Sequence, residues 1–441
     1  MTNSVNQKVH GIRSIGIDFG TTNTVISAVD ASGSVHTVPV DYNNEMLKTF
    51  YSALCFWQER GASGLITRVE TGPWAIEKYS DLTDAFRFLQ SIKTFAASSA
   101  FTGTYIFGKL YHFEDLMCAF LVSLFEHAKL EPMNKSQNVV VGRPVKFAGS
   151  NPSDSIAMKR YRKAFANLGM TDVTYAYEPV GAAFYYAQKL THDATVLVAD
   201  FGGGTSDFSI VQYSQTADGL VARPLGNQGI GIAGDVFDYR LIDNLVLPLL
   251  GKGGHYTSMG EKFDLPIWPF HNFARWNHLS MMKANGELQE LRKLCRTATD
   301  SVALERFIEI IDNDYVLALY QAISEVKAAL SAEPETVFRF ERGSINITKK
   351  VTRQQFESWI GDDLVKISKT LKNLLIESQM EAGGIDKVFL TGGSSLIPAI
   401  RNLFANMFGA EKLDYGDQFV SISNGLALIG NSKDIARWSV I

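Results

Sequence analysis

The stretch DFGTTNTV (Asp18–Val25) decides the fold, because it places a tight turn rich in hydroxyl groups directly after the apolar residues SIGI. The same plan recurs far downstream in VLVADFGGGTSDFSI (Val196–Ile210), as strand, aspartate, aromatic residue, glycines, hydroxyl residues and second strand. Each stretch predicts a β-hairpin closed by a glycine turn. The repetition predicts two similar halves, each opening with such a hairpin.

The composition of these turns indicates a phosphate site. Glycine lets consecutive backbone N–H groups point into one concavity, and Thr and Ser hydroxyls add donors at its rim. A carboxylate at the strand end would repel bare phosphate, so Asp18 and Asp200 indicate a divalent cation, or its water shell, between the two. We therefore expect two facing hairpins to hold a magnesium–nucleotide, with residues 18–23 on one side and 200–207 on the other.

Composition excludes several other classes of protein. The 441 residues predict two to four domains, and the net charge of −4 argues against a nucleic-acid partner. Cys55, Cys118 and Cys295 are far apart and form no CxxC pair, which favours a reduced compartment. The first eleven residues lack the apolar core of a signal peptide, and no run of about 18 apolar residues is present. We therefore predict a cytoplasmic protein without a membrane partner.

The remaining pattern alternates strands and helices. Apolar residues at helical spacing predict helices within 113–130, 153–169 and 178–190. The stretch DKVFLTGGSSLIPAIRNLF predicts a strand, a Gly-Gly turn and a helix. Residues 251–300 are aromatic and interrupted by Pro and Gly, which indicates a variable insertion. Its aromatic residues are explained either by packing in the core or by a partner surface.

Taken singly, the candidate site residues are weak signals. The glycines at 202–204 are explained by a turn alone, and Lys93 by an ordinary solvated lysine. Glu178 is explained by a carboxylate in the first turn of a helix, where the helix dipole favours it. Their order along the chain is more specific than any one of them.

Four motifs in this order, IGIDFGTTNT, VADFGGGTSDFS, EPVGAA and TGGSSLIP, resemble the ATPase domain of heat-shock protein 70 (Hsp70) chaperones. The resemblance is closest to short YegD-like members that lack a substrate-binding domain. It implies an α/β, actin-like ATPase fold with two lobes, each a duplicated ribonuclease-H-like core, around a nucleotide cleft. Lobe I would comprise 1–191 with a closing helix at 416–441. Lobe II would comprise 192–415, with a divergent insertion at about 236–320.

The resemblance also implies roles for residues of this chain. The catalytic residues would be Lys93, Glu178, Asp200, Thr205 and Asp207. Asp18 and Asp200 would hold Mg²⁺ through water. The residues implied to contact ATP or ADP are Gly20, Thr21, Thr22, Asn23, Gly202, Gly203, Gly204, Thr205, Gly234, Lys327, Ser331, Gly392, Gly393, Ser394 and Asp417.

The sequence departs from the family around the nucleotide base. The segment SEVKAALS retains Lys327 and Ser331 but places Ser324 where the family has a glutamate. Ala328 and Leu396 replace the two arginines that flank adenine in the family. The segment AGDVFD at 233–238 matches its family counterpart only in part. The phosphate site is thus predicted to be intact and the base site to be altered.

The resemblance implies a magnesium-dependent chaperone-like protein that binds ATP and hydrolyses it slowly to ADP and phosphate, without its own peptide-binding domain. One alternative is a nucleotide-binding regulatory or scaffold module with little turnover. The other is a kinase for a small substrate, although retention of Lys93 and Glu178 favours water as the acceptor. The nucleotide is the expected ligand, and the sequence does not identify a protein partner or co-chaperone.

Overall fold

The computed structural model describes residues 11–62, 64–81, 85–130, 137–149, 151–188, 190, 192–216, 219–273, 287–415 and 420–440. Asp417 lies outside these residues, as do residues 274–286 of the predicted insertion. Their predicted roles therefore stay predictions.

The first central sheet contains the first predicted hairpin. Its strands are β1 (Ser14–Phe19), β2 (Asn23–Val29), β3 (Val35–Thr37), β4 (Asn138–Arg143) and β5 (Val173–Tyr177). They are ordered β5-β4-β1-β2-β3, with β1, β4 and β5 parallel and β2 antiparallel to β1 and β3. All six residues of β1 are buried, as expected of a central strand covered on both faces. The short strand Phe50–Tyr51 also pairs with β2.

The second central sheet contains the second predicted hairpin. Its strands are β6 (Ala194–Phe201), β7 (Ser206–Thr216), β8 (Gly219–Ile230), β9 (Lys387–Thr391) and β10 (Leu413–Tyr415). They are ordered β8-β7-β6-β9-β10, with β6, β9 and β10 parallel and β7 antiparallel to β6 and β8.

The two central sheets have the same topology. In each, three consecutive antiparallel strands are followed by two strands that lie parallel to the first and extend the sheet on its other side. Both sheets open with the hairpin that the sequence predicted. The predicted duplicated α/β architecture, the ribonuclease-H-like arrangement of the actin-like ATPase fold, is therefore confirmed.

The helices agree with the predicted ones to within a few residues at their ends. Ser153 caps the helix Asp154–Asn167, because its side chain accepts a hydrogen bond from the backbone N–H of Ile156 at 3.5 Å. The α-helices among the described residues are α1 (Gly72–Asp81), α2 (Phe113–His127), α3 (Asp154–Asn167), α4 (Glu178–Ala187), α5 (Gly234–Leu241), α6 (Trp268–Phe273), α7 (Glu287–Cys295), α8 (Ser301–Asp312), α9 (Val316–Ala332), α10 (Arg353–Trp359), α11 (Gly361–Glu377), α12 (Pro398–Phe408) and α13 (Ser421–Gly430).

The described residues also form several smaller sheets. A three-stranded sheet places the strand Ala53–Gly61 between Gly64–Thr71 and Phe86–Gln90. The two-stranded sheets are Val40–Tyr42 with Glu45–Leu47, Thr104–Ile106 with Lys109–Tyr111, His255–Ser258 with Glu261–Asp264, and Glu335–Arg342 with Ile345–Thr352. The described part of residues 251–300 thus contains a hairpin and the helices α6 and α7.

The contacts between residues divide the chain into two compact units. One comprises 1–233, 367–395 and 401–441 and contains both central sheets; the other comprises 234–366 and 396–400. The lobe boundary predicted at residue 191 falls inside the larger unit and stays a prediction. None of the helices described here is long and apolar enough to cross a membrane.

Candidate phosphate-binding site

The two glycine turns occupy equivalent positions in the two central sheets. In the first hairpin Asp18 pairs with Val25, and in the second Asp200 pairs with Asp207. The phenylalanine after each aspartate is fully buried and packs against aromatic rings. The ring centroid of Phe19 lies 5.6 Å from that of Phe120, and that of Phe201 lies 5.8 Å from that of Phe404. Each turn is therefore fixed to the core by the buried phenylalanine that follows its aspartate.

The first turn is held by Ser52. The Ser52 hydroxyl donates to the carbonyl oxygen of Gly20 at 2.8 Å, and its backbone N–H donates to that of Thr22 at 2.8 Å. A β-carbon at position 20 would collide with the carbonyl oxygen of Asn23, so the turn needs glycine there. Thr21 is buried, with 8% of its surface exposed.

The second turn lies beside the first. The backbone N–H of Gly202 donates to the carbonyl oxygen of Thr205 at 3.0 Å and closes the turn around Gly203. A β-carbon on Gly204 would lie 3.1 Å from the Thr21 hydroxyl oxygen. The side chain of Thr21 in the first turn therefore lies against the backbone of the second turn at Gly204.

A buried ion pair lies close to both turns. Lys93, on the short 3₁₀ helix Ile92–Phe95, places its Nζ 2.6 Å from Oε1 of Glu178, the first residue of α4. The two side chains are 8% and 5% exposed. Burial disfavours the charged lysine, but the charges of Glu178 and other nearby acidic groups, together with the hydrogen bond to Glu178, outweigh this, and the pKa of Lys93 is raised. Lys93 is therefore a permanent cation and not a solvated surface lysine.

Asp207 is held by one of its two carboxylate oxygens. Its Oδ1 accepts hydrogen bonds from the backbone N–H groups of Val145 at 2.8 Å and Lys146 at 3.3 Å. Its Oδ2 is buried and makes no hydrogen bond of good geometry among the residues that the structure describes, although the Thr205 side chain lies close to this carboxylate. A buried carboxylate oxygen without a partner is costly, so it is a candidate acceptor for a group of a bound ligand.

The acids of the cluster are strongly perturbed. Burial, followed by the charge of Glu178, raises the pKa of both Asp18 and Asp207 to about 7. Burial and the charges of Glu178, Asp18 and Asp207 raise the pKa of Asp200 well above its ordinary value. These shifts show that the acids act on one another across the two hairpins. They are expected of a site that binds a cation or reacts.

The third predicted turn lies in the same unit. Gly392 follows β9 with φ of +81°, and a β-carbon there would collide with the backbone of Phe201. Gly393 begins a short 3₁₀ helix, Gly393–Leu396, in which Ser394 is buried. This turn therefore packs directly on the end of β6, the strand that carries Asp200.

The predicted base-side residues of the smaller unit bond to one another. Lys327 Nζ lies 2.8 Å from Oδ1 of Asp238 and 2.9 Å from its Oδ2, and donates to the carbonyl oxygen of Gly234 at 3.3 Å. The Ser331 hydroxyl donates to the carbonyl oxygen of Lys327 at 3.0 Å. Ser324 and Ala328 are exposed on α9.

Sequence reasoning missed several residues that shape the site. Ser52 carried no motif, and the backbone N–H groups of Val145 and Lys146 carry no side-chain signal. Arg143 had a visible one, because a charged residue ends the apolar strand NVVVG. Its side chain is 2% exposed, and its guanidinium lies over the rings of Phe147 and Tyr177.

The fold and the site together define a class of protein: an actin-like ATPase fold with paired glycine turns around buried acids. The Hsp70 protein family model matches residues 292–431. A chaperone protein DnaK of Deinococcus radiodurans is 26% identical over 413 residues, covering 90% of this chain and 56% of that protein. That of Gracilaria tenuistipitata is 24% identical over 441 residues (96% and 61%), and that of Thermosipho melanesiensis 25% over 398 residues (90% and 55%).

These matches confirm the resemblance to the Hsp70 family that the sequence motifs indicated. The chain is similar to that DnaK of Deinococcus radiodurans over nine-tenths of its own length. It spans a little more than half the length of the curated relatives that it matches.

Proposed function

We propose that this protein binds ATP with Mg²⁺ at the paired hairpins and hydrolyses it slowly to ADP and phosphate. The observation that carries the proposal is the meeting of four carboxylates, Asp18, Glu178, Asp200 and Asp207, with one lysine beside two adjacent glycine turns. All four acids are buried. Phosphoryl transfer depends on positioning and charge stabilisation, which such a site supplies.

The acidic residues fit a magnesium ion held through water. Four buried carboxylates face a single lysine, which leaves an excess of negative charge for a cation to offset. Among the residues described, no three Asp, Glu, His or Cys side chains are close enough together to bind one ion directly. Asp18 and Asp200 would therefore hold the ion through its water shell, and phosphate oxygens would complete its coordination. The ion would supply charge neutralisation at the phosphates.

The remaining residues would orient the phosphates and the water. Backbone N–H groups of residues 20–23 and 202–205 would donate to phosphate oxygens, and Lys93 would leave Glu178 to reach the terminal phosphate. The free Oδ2 of Asp207 would accept a hydrogen bond from the attacking water. We assign no single base, because the acids titrate together.

The chaperone-like role rests on kinship. The relatives named above are called chaperone proteins, and this chain covers little more than half of their length. We propose that ATP turnover switches the conformation of this protein, that it works with a protein partner or co-chaperone, and that it acts in the cytoplasm. Its closer similarity to short YegD-like members is part of this proposal.

A second candidate function is a nucleotide-binding regulatory module with little turnover. One observation favours it: Ser324, Ala328 and Leu396 depart from the family at the base, whereas the phosphate residues are retained. Such a protein would bind the nucleotide mainly through its phosphates.

Incubation with γ-labelled ATP and Mg²⁺ tests these proposals. Release of labelled free phosphate, stopped by EDTA, is expected. Unchanged ATP, with binding seen by calorimetry, would favour the regulatory module. Label on a small molecule from a metabolite mixture would indicate a kinase, and absence of both binding and turnover would contradict nucleotide binding altogether.

A further inference from the structure

Tyr161 carries a hydroxyl group, unpaired in the described part of the chain, that lies within electrostatic reach of the candidate phosphate site. It lies on α3, its side chain is fully buried, and its phenolic oxygen has no hydrogen-bond partner among the described residues. Buried hydroxyl groups are nearly always hydrogen-bonded, because leaving one unpaired costs stability. The exception therefore requires an explanation from its surroundings.

The ring of Tyr161 is fixed on several sides. It stacks on Phe113 at 6.0 Å between centroids with 14° between the planes, and meets Phe147 edge-on at 5.8 Å. Phe19, the residue after Asp18, lies 6.2 Å away, also edge-on. The hydroxyl group is therefore fixed in direction by aromatic packing.

The Lys93–Glu178 pair lies within electrostatic reach of this hydroxyl group, as do Asp18 and Arg143. The neighbouring Arg160 ties α3 to the Lys93 helix, because its Nη1 donates to the carbonyl oxygens of Phe95 and Ala96, both at 2.8 Å.

The hydroxyl group of Tyr161 keeps its proton and can therefore act as a hydrogen-bond donor. Burial raises the pKa of Tyr161 further above its ordinary value, so the phenol stays protonated. Arg143, a charged donor near Tyr161, already donates to the carbonyl oxygen of Pro144 at 3.1 Å and to Asp154 at 2.6 Å.

We propose that Tyr161 is a positioning residue for Glu178 in the ligand-bound state. This inference rests on the proposed function, in which Lys93 leaves Glu178 to reach a phosphate. Departure of Lys93 deprives a buried carboxylate of its 2.6 Å partner, which is strongly unfavourable. The free O–H of Tyr161 then donates to Glu178 in place of the lysine. Glu178 keeps its place and Lys93 is released at lower cost.

Removing Lys93 by mutation tests this without any nucleotide. In the wild-type background, Tyr161→Phe should not favour urea unfolding and should raise stability, because it removes a buried hydroxyl group that has no partner there. In a Lys93→Met background the same substitution should favour unfolding by about tenfold, because Glu178 then depends on the phenol. Equal effects in the two backgrounds would overturn the proposal.

Tyr213→Phe is the matched control. Tyr213 is also fully buried with an unpartnered hydroxyl group, but burial alone accounts for the raised pKa of its phenol, with no contribution from a charged group. Its substitution should have the same effect in both backgrounds.

Calorimetry supplies a second measurement, which applies even where Lys93→Met fails to fold. Tyr161→Phe should weaken the binding of Mg–ATP by about fivefold, whereas Tyr213→Phe should leave it within twofold. Unchanged affinity in a Tyr161→Phe protein whose wild-type parent binds Mg–ATP would overturn the inference and leave the proposed function intact. Failure of the wild-type protein to bind nucleotide would overturn the proposed function, and the unfolding experiment would still decide the role of Tyr161.

Discussion

The two glycine hairpins share a backbone plan and differ in one decisive position. DFGTTNTV and DFGGGTSD align residue by residue, so that Asp18 corresponds to Asp200, Phe19 to Phe201 and Gly20 to Gly202. At the last position the first hairpin has Val25 and the second has Asp207. Val25 lies directly opposite Asp18 in the first hairpin, and Asp207 lies directly opposite Asp200 in the second.

This difference gives two hairpins of the same backbone structure different chemical roles. In the first hairpin the aspartate faces an apolar partner, and the hydroxyl groups of Thr21 and Thr22 enrich the turn. In the second, glycines open the turn and a second carboxylate stands across from the first. The first hairpin is thus equipped to hold phosphate, and the second to hold phosphate and also to orient water through the free Oδ2 of Asp207.

The largest expected effect comes from removing charge at the phosphates. Asp200→Ala removes the aspartate that the second hairpin shares with the first, and Lys93→Ala removes the cation that serves both. Each should lower kcat for ATP hydrolysis by about 10²–10³-fold, the usual loss when one stabilising group is removed. Asp200→Ala should also weaken the dependence of the rate on Mg²⁺. Steady-state release of phosphate at several Mg²⁺ concentrations measures both.

Asp41→Ala is the control for these variants. Asp41 is an exposed aspartate of the same unit, so its removal should leave kcat within twofold. Circular dichroism should show all three variants folded. Turnover at the wild-type level in both Asp200→Ala and Lys93→Ala would refute the site assignment.

Much of the frame was predictable from local pattern, because alternating apolar residues and glycine turns specify hairpins over short distances. The Lys93–Glu178 pair was indicated only by resemblance, since it joins residues 85 positions apart. The anchoring of Asp207 was not predictable, because it uses backbone N–H groups whose position depends on the packing of another strand. Tyr161 could not be singled out from the sequence, because it lies in an amphipathic helix, where an aromatic residue normally indicates packing in the hydrophobic core.

A medium-sized effect concerns pH, because each hairpin carries one acid with a pKa of about 7. Asp18 and Asp207 bind protons more tightly in the folded state than at their ordinary pKa of 3.8 in the unfolded chain. Their contribution to stability is therefore complete below about pH 4 and is lost as the pH rises through 7. Without metal or nucleotide, the melting temperature should fall between pH 5 and pH 8, as calorimetric scans in EDTA would show.

Substituting each acid in turn compares the hairpins directly. Asp18→Asn and Asp207→Asn should each flatten part of this pH dependence, and together they should flatten most of it. Mg–ATP should restore stability at pH 8 by offsetting the charge of the acids. A melting temperature that rises from pH 5 to pH 8 in EDTA would contradict the sign of the effect.

The smallest expected effect concerns the nucleotide base, where neither hairpin acts. Ala328 and Leu396 replace two arginines that would stack on adenine, a contact worth about 0.5–2 kcal/mol each by analogy with cation–π pairs. Ser324 replaces a carboxylate that would accept from ribose hydroxyl groups. Binding should therefore depend mainly on phosphates and Mg²⁺. ATP should bind more weakly than to a typical Hsp70 chaperone, and GTP should compete within about tenfold, or about 1.4 kcal/mol.

A triple variant sharpens this prediction. Ser324→Glu, Ala328→Arg and Leu396→Arg together should tighten ATP more than GTP in calorimetric titrations, because the restored groups contact base and ribose and not the phosphates. The opposing possibility is that Leu396 and Ile397 already form an apolar sandwich as selective as the arginines. An ATP preference above about a hundredfold in the unmodified protein, equivalent to about 2.7 kcal/mol, would decide for that sandwich. The hairpins would then share the control of affinity with the base pocket.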